Sequence, residues 1–363
     1  MFVASLAAAP PNEAAAEFAL GRFEAFRNRF SAQMKAAVSL ERIRDLAAFG
    51  SCKAPAGPPS VSKPRPQLEN YIYRLDCEKR AIGLSITTDA AGVIHGLHFV
   101  EPPTGFAVVT GEYQLPAKLT MPAGAGPFPA VVLVHGSGPH DMDETIGPNK
   151  PFRDIADGLA AKGIASLRYT KRTRQYRPEK ITLHEETIAD ALSAVKLLRS
   201  TPKIDPKRIY VIGHSLGGYA APRIGKADPS LAGLVLLAGN SRPIGVLIAE
   251  QIKYLGMEPE QAAQMMLLMP EAYRNELSVD PLPVAKALAM PMLILQGERD
   301  YQVTMADFQR WQTLKGPRVT LKSYPALNHL FQPGQGKSMP AEYQMAAPFS
   351  PLVIDDIAAW IKR

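Results

Sequence analysis

The sequence predicts an α/β protein: a mostly parallel sheet flanked by helices, with a helical cap-like insertion and a small α+β domain ahead of it. Three observations predict this. From about residue 105 onward, short β-branched runs alternate with amphipathic helical stretches, the pattern of a parallel sheet covered on both faces. Before that point, two helical stretches precede three segments of alternating apolar residues, the pattern of helices packed on an antiparallel meander. Between residues 240 and 290 the strand signal gives way to a Met-rich helical stretch. A chain of 363 residues has room for two such domains. The expected division is a tail over 1–12, a small domain over 13–104 and a large one over 105–363.

The start reads MFVASLAAAPP. It resembles the end of a signal peptide, with small residues suited to cleavage near Ala9, though it lacks a basic start. A periplasmic or secreted protein is the expectation, and a cytoplasmic one with a disordered tail is the alternative. Residues 13–50 read as two helices. Phe23, Phe26, Phe30 and Met34 recur at helical spacing, Ser39 can cap the second helix, and Gly50 stops it. The Pro/Ser/Lys-rich stretch 52–66 reads as a loop. In the meander, Tyr71, Tyr73, Leu75 and Cys77 share one face, as do Ile82, Leu84 and Ile86, then Val93, His95, Leu97 and Phe99. Cys77 lies on that apolar face and Cys52 follows the second helix, so a disulfide between them is possible; a free buried Cys77 is the other reading.

Residues 106–121 read as a hairpin. Buried strands are expected over 130–134, 164–168, 209–212, 234–237, 292–295 and 319–323. One intervening helix carries Phe152, Ile155 and Leu159, another Ile188, Leu192, Val195 and Leu198. The insertion over 240–290 contributes Met265 and Met269 as adaptable apolar lining for a pocket. The net charge of +7 comes without zinc-finger spacing or a basic tail, which argues for a basic enzyme and against a nucleic-acid partner. No apolar run approaches the ~20 residues of a membrane span. Neither a metal nor a cofactor is expected.

Residues 208–218 read RIYVIGHSLGG, a strand running into Gly213-His214-Ser215-Leu216-Gly217 with a helix directly after. A turn that sharp strains the serine backbone and crowds the residues two before and two after it, so both must be small. It also sets the hydroxyl at a helix N-terminus, where developing negative charge is stabilised. Ser215 is therefore the expected nucleophile. A hydroxyl needs a general base oriented by an acid, and at such a turn the chain order is Ser, then Asp or Glu, then His. Only His329, in PALNHLF, lies beyond His214. The preceding strand runs MLILQGERD, which nominates Asp300 as the acid, with Glu298 second.

Acyl transfer also needs two backbone donors for the oxyanion. The N–H of Leu216 is one. The other comes from His135-Gly136-Ser137-Gly138-Pro139, with Ser137 first and Gly136 second. His135 reads as a brace beneath that loop. Substrate contacts are expected from His214, Tyr169, Lys171 and Arg172. The Asp141, Asp143 and Glu144 stretch is expected to pair at least partly with Arg168, Lys171, Arg172 and Arg174. Cations left unpaired would favour substrates bearing a carboxylate.

Taken together, these residues resemble the α/β-hydrolase superfamily. The run HGSGPHDMDETIGPNKPFRDIADGLAAKGIASLRYTKRT followed by GHSLGG is similar to bacterial esterases near the dienelactone-hydrolase and acyl-peptidase branch. The resemblance covers most of the chain, more loosely before residue 105, and Thr170 stands where that branch usually has Asp. It implies a serine carboxylesterase that passes through an acyl-enzyme and acts on a small-molecule ester. A peptidase or amidase is the alternative, weakened because roughly 100 N-terminal residues are too few for a β-propeller. A lactone hydrolase or acyltransferase would use the same three groups. A binding protein on an inactive fold is disfavoured by the intact set.

Overall fold

The computed structural model describes residues 11–65, 67–103, 105–178, 180–267 and 269–363, without the side chains of 64, 65, 259, 262, 265 and 266. The signal-like start falls almost wholly outside them. The chain divides into two compact units, Met1–Pro116 with Arg174–Glu179, and Ala117–Thr173 with Lys180–Arg363.

In the first unit the helical stretch is more broken than expected. Helices span Asn12–Ala19, Phe23–Asn28, Ala32–Ala37 and Leu40–Leu46. The breaks have local causes. Gly21 takes a φ of +71°, and the Ser31 hydroxyl accepts the Met34 N–H at 3.2 Å, starting a new helix. Ser39 caps the last helix through the Arg42 N–H at 3.1 Å. Four strands follow in the order β1 (Ser60–Arg65), β2 (Leu68–Asp76), β3 (Ala81–Thr88) and β4 (Ile94–Val100), all antiparallel. β1 corrects the expected loop: a proline run can supply a sheet edge, where a missing N–H costs no ladder bond. Between β3 and β4 the register shifts: Thr87 faces Gly96 and Thr88 faces Ile94, which skips His95. Ile94 is consequently the buried residue, and His95 turns out to solvent beside Asp89. Phe18, Phe26, Phe30, Tyr71, Tyr73, Leu84 and Ile86 form the core between helices and sheet. Cys52 and Cys77 are joined by a disulfide at its rim.

The larger sheet contains β5 (Ala107–Thr110), β6 (Tyr113–Thr120), β7 (Phe128–Val134), β8 (Ala165–Tyr169), β9 (Ile204–His214), β10 (Gly233–Leu237), β11 (Met292–Gly297) and β12 (Val319–Tyr324). Its order is β12-β11-β10-β9-β7-β8-β6-β5, with β6 crossing from the first unit into the second. From β7 to β12 every pairing is parallel; β6 joins β8 antiparallel. Helices Pro151–Ala161 and Pro351–Ile361 cover one face through Phe152, Ile155, Leu159, Val353 and Ile357. Helices Asp190–Arg199 and Leu216–Ala227 lie against β7, β9 and β10. Because the strands are parallel, the loops after β7, β9, β11 and β12 all emerge at the same end of the sheet, where open α/β sheets place their ligands. The insertion forms helices Ile244–Tyr254, Pro259–Leu267, Glu271–Leu277 and Pro281–Ala287.

Candidate active site

β9 ends at His214 and a helix starts at Leu216, so Ser215 alone makes the turn, at φ 52° and ψ −114°. That conformation is costly for a residue with a Cβ. The surrounding glycines make it possible. A Cβ on Gly213 would stand 2.2 Å from the Gly217 carbonyl oxygen, and one on Gly217 2.2 Å from that of Val134. The Ser215 N–H is held by the Leu237 carbonyl at 2.9 Å. Its side chain remains half-exposed.

Asp300 follows β11 by three residues. One of its carboxylate oxygens accepts the N–H groups of Gln302 and Val303 at 2.8 and 2.9 Å. The other accepts Gln296 Nε2 at 3.0 Å and His329 Nδ1–H at 2.7 Å. Both residues are almost wholly buried, at 5% and 3% exposure. A proton fixed on Nδ1 leaves Nε2 as the basic nitrogen. Glu298 is exposed and accepts from the Ser323 hydroxyl. Asp280 caps a helix and pairs with Arg310, and Asp307 pairs with Arg242. None of these three touches the histidine.

The loop after β7 lies against the serine: a Cβ on Gly136 would approach Ser215 Cβ to 3.2 Å. His135 packs on Phe152 and Tyr169, and its Nε2 meets the Asp141 carbonyl at 3.0 Å. Burial pushes its pKa down to about 3, so it is a neutral brace. Gly136 N–H donates to Glu144 Oε1 at 2.6 Å, which engages the second of the two loop candidates and leaves Ser137 as the first. Ser137 stands exposed. Leu216, the first residue of its helix, has an N–H with no acceptor inside the helix.

Glu144 is the residue the sequence reading misplaced. It is buried at φ +52°, and its second oxygen lies 2.9 Å from His214 Nδ1, angled as an ion pair. The other His214 nitrogen meets the His329 carbonyl at 3.1 Å. A carbonyl can only accept, so Nε2 carries a proton, and the carboxylate beside Nδ1 favours a second one there. Burial alone would discharge the imidazole, but the Glu144 charge outweighs it and raises the His214 pKa. Burial likewise opposes the carboxylate, yet His214 holds Glu144 down at about 2.

Of the expected substrate contacts, His214, Tyr169, Lys171 and Arg172 are all buried. Lys171 donates to the Gly136 carbonyl at 2.9 Å and pairs with Glu186 at 3.4 Å, while Arg172 pairs with Asp190. Asp143 takes Arg168 and Lys150, so the two charged loops pair at Arg168, and Arg174 falls in the first unit. Lys171 and Arg172 are thus not free cations for an anionic substrate. Met269 is half-buried against Leu183, Leu216, Tyr219 and Leu277; the Met265 side chain lies outside the described residues.

The prolyl oligopeptidase family model matches residues 178–350. The chain is 38% identical to Esterase EstD of Thermotoga maritima, over 94% of this chain and 92% of that protein. It is 24% identical to a putative carboxymethylenebutenolidase of Methylorubrum extorquens, over 74% and 83%. A solved structure of Est1E from Butyrivibrio proteoclasticus with ferulic acid matches at a TM-score of 0.52 and 17% identity, over 71% of this chain and 98% of that one. At that identity the likeness is one of fold.

Proposed function

Because this chain belongs to the α/β-hydrolase superfamily and is a carboxylesterase-like hydrolase, we propose that it cleaves small-molecule carboxylic esters through Ser215, His329 and Asp300. In this reading Ser215 Oγ attacks the ester carbonyl while His329 Nε2 takes its proton. Asp300 holds the ring by Nδ1 and stabilises the imidazolium. The N–H groups of Leu216 and Ser137 receive the oxyanion. Collapse of the tetrahedral intermediate returns the proton to the departing alcohol and leaves an acyl-Ser215, which water hydrolyses by the same steps.

The observation that carries the reading is the buried 2.7 Å bond from His329 Nδ1 to Asp300. It fixes the tautomer a general base needs, at the end of the sheet where Ser215 makes its turn. Amide cleavage is the second reading, favoured by the match to the prolyl oligopeptidase family model. The disulfide in the first unit supports an oxidising compartment, periplasmic or extracellular.

The test is a panel of p-nitrophenyl esters beside p-nitroanilides, on wild type and Ser215→Ala. Ester hydrolysis is expected to fall by about 10⁴-fold or more in the variant. Intact-mass detection of an acyl adduct on wild type alone would support the intermediate. Activity surviving the substitution would overturn the nucleophile, and anilides outpacing esters would promote the amidase.

A further inference from the structure

Lys171 is an ammonium at 2% exposure, a position that is costly unless its charge is matched and its protons are placed. Glu186 matches the charge at 3.4 Å and is itself only 4% exposed. That carboxylate sits in a π-helical turn, His184–Ala189, a distortion that recurs where a helix presents a functional side chain. It is anchored by hydroxyl groups from Thr173 and, at 2.8 Å, Tyr273. One Lys171 proton then goes to the carbonyl oxygen of Gly136 at 2.9 Å.

A peptide unit is planar and trans, so its C=O and the following N–H point in opposite directions. The N–H opposite the Gly136 carbonyl is that of Ser137. Ser137 is exposed, and Gly136 lies against Ser215. Lys171 reaches the carbonyl from the buried side, and the N–H is thereby turned to the open side. The adjoining peptide is held as well, because Gly136 N–H donates to Glu144.

We propose that Lys171 is a positioning residue for the oxyanion site: by gripping the Gly136 carbonyl from inside, it aims the Ser137 N–H at the carbonyl oxygen of a bound ester. A cation on the oxygen of that peptide also draws electron density from its nitrogen and strengthens the N–H as a donor. The proposal rests on the reading of Ser215 as nucleophile. It replaces a substrate contact with one that acts through the backbone, so its influence falls on the transition state rather than on substrate binding.

The test is Lys171→Met, together with the double variant Lys171→Met/Glu186→Gln. The single change strands a buried carboxylate and is expected to lower the melting temperature. The double change removes both charges and is expected to keep the wild-type melting temperature within a few degrees. In the double variant kcat for p-nitrophenyl acetate is expected to fall roughly 10- to 100-fold, with KM within about threefold. Inhibition by phenylboronic acid, whose tetrahedral adduct places an anionic oxygen in the same site, is expected to weaken by a similar factor. A folded double variant with wild-type kcat, or with a change in KM alone, overturns the proposal. Fluorophosphonate labelling of wild type at Ser215 is read separately. Its absence would fail the nucleophile, whereas its presence with unchanged kcat in the double variant fails Lys171 alone.

Discussion

At the scale of single residues, the buried pair of Glu144 and His214 sets a pH window. His135 and His140 also face the carboxylate, Lys171 stands near both of those rings, and Asp300 faces the imidazole. Glu144 titrates near 2, below its ordinary 4.5. Its stabilisation is complete above about pH 4.5 and fades as pH falls toward 2. His214 titrates above its ordinary 6.5, so its share is complete below that value and fades as pH climbs through the raised one. The melting temperature of wild type minus that of Glu144→Gln/His214→Gln should therefore be largest between about pH 4.5 and 6.5 and shrink on both sides. A difference flat with pH would mean that the pair is not ionised. Neither residue's partner was legible in the sequence. Ser215, Asp300 and His329 could be set at strand ends from turn chemistry and chain order, and they stand there. Which way Glu144 turns depends on its left-handed backbone in a loop, and no periodicity records that.

Among the elements, the strongly periodic ones were readable and the punctuated ones were not. β10 and β11 are continuous buried runs, and β7 is one after Phe128. The first helical stretch fails as one unit because Gly21 and Ser31 each outweigh an aromatic spacing that runs straight through them. β1 and the shift in β4 depend on a neighbouring strand, information that a local pattern lacks. The insertion offers an element-scale test. Met269 packs against the cluster that contains Leu216, the residue after Ser215. If that cluster borders the acyl group, Met269→Trp should lower kcat/KM for octanoate esters about tenfold while leaving acetate esters within twofold. An equal loss on both would assign Met269 to packing. In the first unit, the disulfide closes a separation of 25 residues. Removing it by Cys52→Ala/Cys77→Ala should cost that unit about 3 kcal/mol, read as the shift of its denaturant midpoint from wild type, a shift that reductant should abolish.

At the scale of the whole molecule, the groups assigned to chemistry and the buried charges beneath them lie in the second unit. The first unit carries its own core and its own covalent staple. The broad architecture was therefore legible from composition shifts along the chain, while the support under the site was not, since it joins residues as far apart as Gly136, Glu186 and His329. That support has a genealogical consequence. Glu144 and His214 neutralise each other away from water, and a lineage that loses either one first passes through a protein with a solitary buried charge, at a cost of about 3–5 kcal/mol. That is a large share of a domain's total stability. Descendants should accordingly keep both residues or exchange both, and chains carrying only one should be rare among its living relatives.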